Sequence, residues 1–373
     1  MTPVVAVLRE LKTLHPQIDL RFWCDKHFAP QARSIMDEYD PSIRVQTVWS
    51  GKFRRYNHLT KLQQLMIPSV VFPNIRDLFL VLFGVGQSLL RLIIWRPNVV
   101  FLKGGYVCLP VGWAAWILRI PIVIHDSDAH PGLTNRLLAP LAKRITTGVS
   151  LDHYNYPESK SAYVGIPIDP KYKVLSARQQ QAIKAQLGFD ERRPLAVFIG
   201  GGLGAKPIND NVALHLKELL PMTNVILVSG NAQYDELRSL TPQDDPRFVL
   251  EPFVPPYSLV NILGAADVVV TRAGATTLLE LAALAKPTIV VPSKRLIWQV
   301  KHMRLYVDMQ AVYPLDEDAF ENPDDSSLVV AIKRVLTDAP LREKLSKNLH
   351  RLARPNAARD MATTIVNASR KRR

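Results

Sequence analysis

Three turns in this chain carry residue types suited to holding a phosphate, and a fourth cluster carries acid–base groups. The turns read Lys103-Gly104-Gly105-Tyr106, Gly200-Gly201-Gly202-Leu203-Gly204-Ala205, and Arg272-Ala273-Gly274-Ala275-Thr276-Thr277 with Glu280 just beyond. Each follows a β-branched apolar run and precedes a helical stretch. A strand, glycine turn and helix together offer backbone N–H groups and a helix N-terminus to an anion. Without β-carbons at 200, 201, 202 and 204, the second turn lets the backbone approach a diphosphate closely. The bland alternative is a tight βα connection. No Gly-Lys-Ser/Thr follows, so it is not a Walker A loop. Asn209 lies about a turn into the next helix and faces a sugar hydroxyl or solvent. In the third turn, Thr276 and Thr277 open a helix. Glu280 then either closes a capping box with Thr277 or accepts hydrogen bonds from a ribose diol.

The fourth cluster is His125-Asp126-Ser127-Asp128, at the carboxyl end of a strand. Ligands of open α/β sheets bind at that edge. A carboxylate there can serve as a general base or orient an acceptor; alternatively, Ser127 or Asp128 caps the following helix. His130, His153 and His302 lack partners at ligand spacing and read as structural, so no metal site is expected. Cys24 and Cys108 lack metal-type spacing and read as reduced thiols.

The elements that position these residues alternate along all 373 residues. In the first half, helix 3–13 precedes strands near 19–24, 44–48, 99–102, 121–125, 145–148 and 161–164, with helices at 109–118 and 132–142. In the second half, strands at 195–199, 224–228, 247–251, 267–271 and 288–291 are separated by helices at 208–220, 234–240, 259–265 and 277–285. Such alternation predicts parallel βαβ units with helices on both sheet faces. The expected architecture is α/β, two Rossmann-like doubly wound domains facing a cleft. Residues 1–160 form the first domain and 161–340 the second. Residues 341–373 form a C-terminal helix and basic tail that pack back on the first. An α/β domain ordinarily opens on a strand, and here the sequence opens on a helix.

Residues 62–95 form a long apolar segment. Arg76, Asp77, Gln87 and Arg91 interrupt it, and Gly84 and Gly86 loosen it. A spanning helix wants about 20 nearly uninterrupted apolar residues, and the segment falls short of that pattern. A buried core helix and an interfacial patch remain. Cationic flanks at Lys52, Arg54, Arg55, Lys61, Arg91 and Arg96, with Trp95, favour the patch. The formal net charge of +14 seeks anionic partners such as phosphorylated substrates or acidic head groups. No nucleic-acid module is visible, and the Ser369–Arg373 tail reads as solvated.

On these residues the chain resembles the MurG family of peptidoglycan glycosyltransferases, of the two-domain GT-B class. The resemblance is carried by Gly104-Gly105-Tyr106-Val107, by Pro121–Asp126 with Pro131–Arg136, and by Gly200–Ala205 with Asn209. It continues through Arg272–Ala275 with Glu280-Leu281-Ala282, Pro287, Pro292 and Gln299, all in family order. It implies inverting, metal-independent transfer of N-acetylglucosamine from its UDP donor to an undecaprenyl-diphosphate-linked muramoyl peptide. No cofactor is implied, and UDP-N-acetylglucosamine is a substrate. A peripheral position on the anionic cytoplasmic membrane face is implied, with no nucleic acid. By position, Gly201, Gly202, Gly204, Ala275, Thr276 and Thr277 would hold the UDP diphosphate and Glu280 the ribose. Val254 would offer backbone to the uracil, and Asp128, Asn209 and Gln299 would face the sugar. Gly104, Gly105 and Tyr106 would meet the acceptor, and Asp126 would be the catalytic carboxylate. The family's first glycine loop, expected just before Pro3, is not in this sequence; a start placed too late is the expected cause. Asp126 and Asp128 stand where the family has Glu and Asn, and Asp169 where it has Arg. Two other functions stay open: a GT-B transferase on another glycolipid, and a non-catalytic membrane-associated cell-wall module. A soluble sugar-nucleotide epimerase would not need the apolar, cation-flanked segment.

Overall fold

The computed structural model describes residues 2–53, 67–128, 131–201, 204–322 and 324–370. They form two compact units, Met1–Pro167 with Asn356–Arg373, and Ile168–Pro355.

In the first unit, strands β1 (Arg21–Cys24) and β2 (Arg44–Thr47) pair in parallel, and β3 (Val100–Leu102), β4 (Ile122–Asp126), β5 (Arg144–Thr147) and β6 (Ser161–Tyr163) form a second parallel sheet in that order. All five residues of β4 are buried, as expected of a central parallel strand covered on both faces. Its side chains alternate: Ile122 and Ile124 join Leu102, Leu138 and Ile145 in one core, whereas Val123 joins Val7, Leu11, Met361 and Ile365 in another. Helices α1 (Thr2–Leu14), α2 (Ala29–Tyr39), α3 (Pro68–Trp95), α4 (Cys108–Ile117) and α5 (Leu133–Leu138) connect and cover these strands. The unit extends past the expected residue 160 because β6 pairs with β5 and completes its sheet. A final helix, Ala357–Ser369, returns to this unit and supplies Met361 and Ile365 to its core. The return starts at Asn356, since Ala339–His350 stays with the second unit.

Helix α3 corrects the sequence reading of a segment too interrupted to span. It is one continuous 28-residue helix, long and apolar enough to cross a membrane by length and composition. Asp77, Gln87 and Arg91 turn toward the protein, whereas the Arg76 side chain is 66% exposed. Asp77 is buried and accepts from Arg76 at 2.8 Å. Gln87 Oε1 accepts from the Trp49 N–H at 3.0 Å, and Arg91 donates to the Thr47 carbonyl at 2.7 Å. Gly84 sits so close to the Trp49 carbonyl that a β-carbon would lie 1.9 Å from it. The opposite face exposes Phe72, Ile75, Phe79, Leu82, Leu90 and Ile93. Arg91 is therefore bound inward and is not a free flanking cation. Arg54, Arg55 and Lys61 lie outside the described residues.

The second unit is one six-stranded parallel sheet in the order β12-β11-β10-β7-β8-β9. The strands are β7 (Leu195–Ile199), β8 (Asn224–Val228), β9 (Phe248–Glu251), β10 (Val268–Thr271), β11 (Thr288–Val290) and β12 (Tyr313–Pro314). This is the doubly wound order, with its switch point between β7 and β10, whose C-terminal residues Ile199 and Thr271 pair in register. Buried Phe198, Ile208, Leu219, Leu227, Val270 and Ile332 lie in its main core. The entering helix α6 (Ala177–Gln186) is fixed at its start by a Ser176–Gln179 capping box and farther along by Lys184 Nζ on Asp267 Oδ2 at 2.6 Å.

Candidate active site

At the C-terminal edge of the first unit, the Lys103–Tyr106 turn leaves β3 beside the end of β4. Gly104 takes φ +91°, and a β-carbon there would meet the Asn135 amide at 2.7 Å. Glycine thus lets α5 and this turn close together. The Ser50 hydroxyl donates to the Tyr106 carbonyl at 2.9 Å.

Asp126 ends β4 and is buried. Its Oδ2 accepts from the Tyr156 hydroxyl at 2.9 Å. Burial pushes its carboxyl up to about 6, against hydrogen bonds from Tyr156 and Asn135 that pull it down. Burial pulls the neighbouring Lys103 ammonium down, while Asp128 and Asp126 hold it up. His125 faces the other way: Nδ1 shares a hydrogen bond with Thr146 Oγ1 at 3.2 Å, and burial holds the imidazole well below its usual range. Neither Ser127 nor Asp128 caps a helix, because α5 starts only after Gly132, which supplies no side-chain bond. Asp128 is exposed, and its carbonyl accepts from the Tyr154 hydroxyl at 2.6 Å.

At the switch point of the second unit, Gly201 (φ +85°) and Gly204 (φ +78°) adopt the left-handed backbone that favours glycine. A β-carbon on Gly204 would strike the Ser229 carbonyl at 2.0 Å, whereas one on Gly201 would meet open space. Gly202 lies outside the described residues. Asn209 is fully buried, and its amide donates to the Ser229 carbonyl and to Gln233 Oε1, both at 2.8 Å. Those bonds tie the turn after β8 to helix α7 (Lys206–Leu214).

The second switch-point turn enters helix α8 (Ala275–Ala283) with Gly274 at the N-cap and no side-chain cap. Thr276 and Thr277 are half-buried in its first turn. The capping box of Thr277 with Glu280 does not form. Glu280 is buried and takes the Tyr172 hydroxyl as hydrogen-bond donor; burial pushes its carboxyl up to about 7. The turn itself is braced from two sides. Arg272 pairs with Glu317 at 2.6 Å, and His302 Nδ1 meets the Ala273 carbonyl at 3.1 Å. Gln299 Oε1 accepts from the Ser293 N–H at 2.9 Å, and Val254 is buried after β9.

The Glycosyltransferase family 28 N-terminal domain matches residues 1–147, and the Glycosyltransferase family 28 C-terminal domain matches residues 195–365. The chain belongs to glycosyltransferase family 28. This family 28 enzyme is 33% identical over 260 residues to the UDP-N-acetylglucosamine–N-acetylmuramyl-(pentapeptide) pyrophosphoryl-undecaprenol N-acetylglucosamine transferase 3 of Bacillus thuringiensis (strain Al Hakam), covering 70% of this chain and 67% of that one. It is 32% identical over 295 residues to the transferase of the same description from Clostridium kluyveri, covering 79% and 76%. The fold is shared with the crystal structure of Acinetobacter baumannii MurG, at a TM-score of 0.70 and 19% identity over 98% of this chain and 95% of that one. The family 28 enzyme is thus a MurG-like, GT-B glycosyltransferase.

Each unit gathers its own share of the residues picked out by sequence. Gly104, Gly105, Tyr106, Asp126 and Asp128 lie along one sheet edge of the first unit. Gly201, Gly204, Ala275, Thr276, Thr277 and Glu280 lie around the switch point of the second. Sequence reading missed Lys103, Tyr156 and Tyr172 as groups that bear on the carboxylates, and Tyr154 as the donor to the Asp128 carbonyl. The Tyr154-Asn155-Tyr156 spacing was the available signal, since alternate residues of an extended segment share a side.

Proposed function

We propose that this enzyme transfers N-acetylglucosamine from UDP-N-acetylglucosamine to the 4-hydroxyl of a muramoyl peptide linked to undecaprenyl diphosphate. The observation that carries this reading is the switch point of the second unit. There an uncapped helix N-terminus and a left-handed glycine turn leave adjacent paired strands, with buried Glu280 one turn into the helix. Free N–H groups of α8 and of the glycine turn suit the donor diphosphate and the charge that grows on it as UDP leaves. Glu280 receives the ribose hydroxyls, exchanging its Tyr172 bond for them. Backbone at Val254 faces the uracil, and Gln299, Asn209 and Asp128 bear on the sugar or on the turns that hold it.

In the first unit, Asp126 acts as general base on the acceptor hydroxyl. That hydroxyl attacks the anomeric carbon from the face opposite UDP, which inverts the configuration. Gly104, Gly105 and Tyr106 receive the acceptor. No metal or cofactor enters this scheme. The exposed apolar face of α3, with Trp116 and Ile117 at the end of α4, rests on the anionic cytoplasmic leaflet, where the lipid-linked acceptor lies.

The deciding experiment is transfer of labelled N-acetylglucosamine from UDP to a short-chain muramoyl-peptide lipid diphosphate. A labelled disaccharide lipid is the expected product. UDP binding without transfer to this acceptor, but with transfer to another glycolipid, would overturn the acceptor assignment.

A further inference from the structure

The segment after β5 places two tyrosines against the end of β4. Their rings stack with centroids 5.4 Å apart and planes 11° apart. Each hydroxyl lands on the same short stretch of chain. Tyr156 donates to Asp126 Oδ2 at 2.9 Å, and Tyr154 donates to the Asp128 carbonyl at 2.6 Å. The backbone beneath is fixed as well. Asp126 pairs with Thr147, and the Gly148 N–H donates to the Asp126 carbonyl at 2.7 Å. A tyrosine has few rotatable bonds, so a stacked pair gives up little entropy in holding a carboxylate in one orientation.

We propose that Tyr156, backed by Tyr154, is a positioning residue of the transfer reaction, holding the Asp126 carboxylate oriented and ionised to take the acceptor proton. The proposal rests on the reading of Asp126 as the base. A phenol donating to a carboxylate favours its charged form, opposing the burial that would keep it protonated. Tyr156 can play this part because its own ionisation is pushed far up, by burial and by the Asp126 charge, so it remains a donor. The other groups that bear on Asp126 are Lys103 from the β3–α4 turn, Asn135 from α5, Tyr154 and Asp128; Arg136 bears on Tyr156. Asn135 and the Asp128 backbone also hydrogen-bond the Asp126 carboxyl, and the phenol that reaches Oδ2 at 2.9 Å is that of Tyr156. A phenylalanine at 156 keeps the ring and its stacking and removes only the donor.

The test compares Tyr156→Phe, Asp126→Asn and the double variant in the intact chain, using the short-chain acceptor. Tyr156→Phe is expected to lower kcat about tenfold on the acid side of pH 6, the size of one hydrogen bond to a charged group, and only about twofold near neutral pH. It moves the acid limb of the kcat profile to higher pH and leaves the KM for UDP-N-acetylglucosamine unchanged. Added to Asp126→Asn, it costs nothing further, because the group it acts on is gone. A uniform loss at every pH, or an unmoved acid limb, overturns the proposal while the base reading stands. Full turnover in Asp126→Asn overturns the base reading and the proposal with it, an outcome separate from failure of Tyr156 alone. Carbon-13 titration of the Asp126 carboxyl reads the same coupling without turnover, and an unmoved titration in Tyr156→Phe also overturns the proposal.

Discussion

Asp126 and Glu280 are both buried carboxylates whose ionisation burial pushes up, to about 6 and about 7. The consequences differ because the roles proposed for them differ. A base works when deprotonated, so turnover should rise with pH through about 6 and level off above it. Asp126→Asn is expected to lower kcat by about a hundredfold or more, while UDP affinity by calorimetry stays level. In the proposed donor site Glu280 receives hydroxyl donors, and its ionised form is the better acceptor. Donor KM should therefore fall as pH rises through about 7. Glu280→Ala should raise that KM by about ten- to a hundredfold, one or two hydrogen bonds to a charged group; an unchanged donor KM would remove Glu280 from the site. Stability runs the opposite way. The Glu280 carboxyl is easier to protonate folded than unfolded, where it titrates near 4.5. Below 4.5 it costs nothing; the cost grows between 4.5 and about 7 and levels off above that at roughly 3 kcal/mol. Glu280→Gln should then raise the melting temperature at pH 8 and leave it nearly unchanged at pH 4. A carboxylate kept at that cost is what a binding role predicts.

Helix α3 is the element whose packing most constrains function. Its buried stripe is Val70, Asp77, Val81, Gly84, Ser88 and Leu92, a seam at seven-residue spacing in which polar and small residues do half the packing. Apart from Leu92 in that stripe, many of its large apolar side chains point away from the protein, with Phe72 70% and Ile94 84% exposed. Soluble surface helices have the reverse pattern, and an apolar patch of this extent marks an interaction surface. Phe79→Asp together with Leu90→Asp should weaken vesicle sedimentation several-fold. The same pair should leave transfer to a water-soluble short-chain acceptor near its original rate. Loss of both together would mean that this face supports the fold and not the membrane.

Over the whole molecule, the net charge of +14 acts at longer range than any of these contacts. Exposed charges are screened beyond about 10 Å at 0.1 M salt, and each basic group near an anionic leaflet adds about 1 kcal/mol. Vesicle binding should therefore strengthen with the fraction of anionic lipid and weaken steeply with salt. A binding curve indifferent to both would leave only the apolar face of α3 to hold the membrane.

The sequence by itself determined the elements and the places where the chain turns. Apolar runs such as Leu195–Ile199 and Ile122–Asp126 are strands because a parallel strand buried on both faces needs an apolar run. Gly104, Gly201 and Gly204 were legible as turn residues because only glycine takes their backbone angles freely. Only the tertiary structure decided which side chains meet. The bonds of Tyr156 to Asp126, Tyr172 to Glu280, and Arg272 to Glu317 join residues from separate parts of the chain. Their meeting depends on the order of strands in a sheet, and local periodicity carries no information about that order. The same holds for α3. Hydropathy counts Asp77, Gln87 and Arg91 as breaks in an apolar run, whereas packing turns all three inward, Asp77 buried beside Arg76 and the other two bonded to Trp49 and Thr47, and leaves a largely apolar outer face.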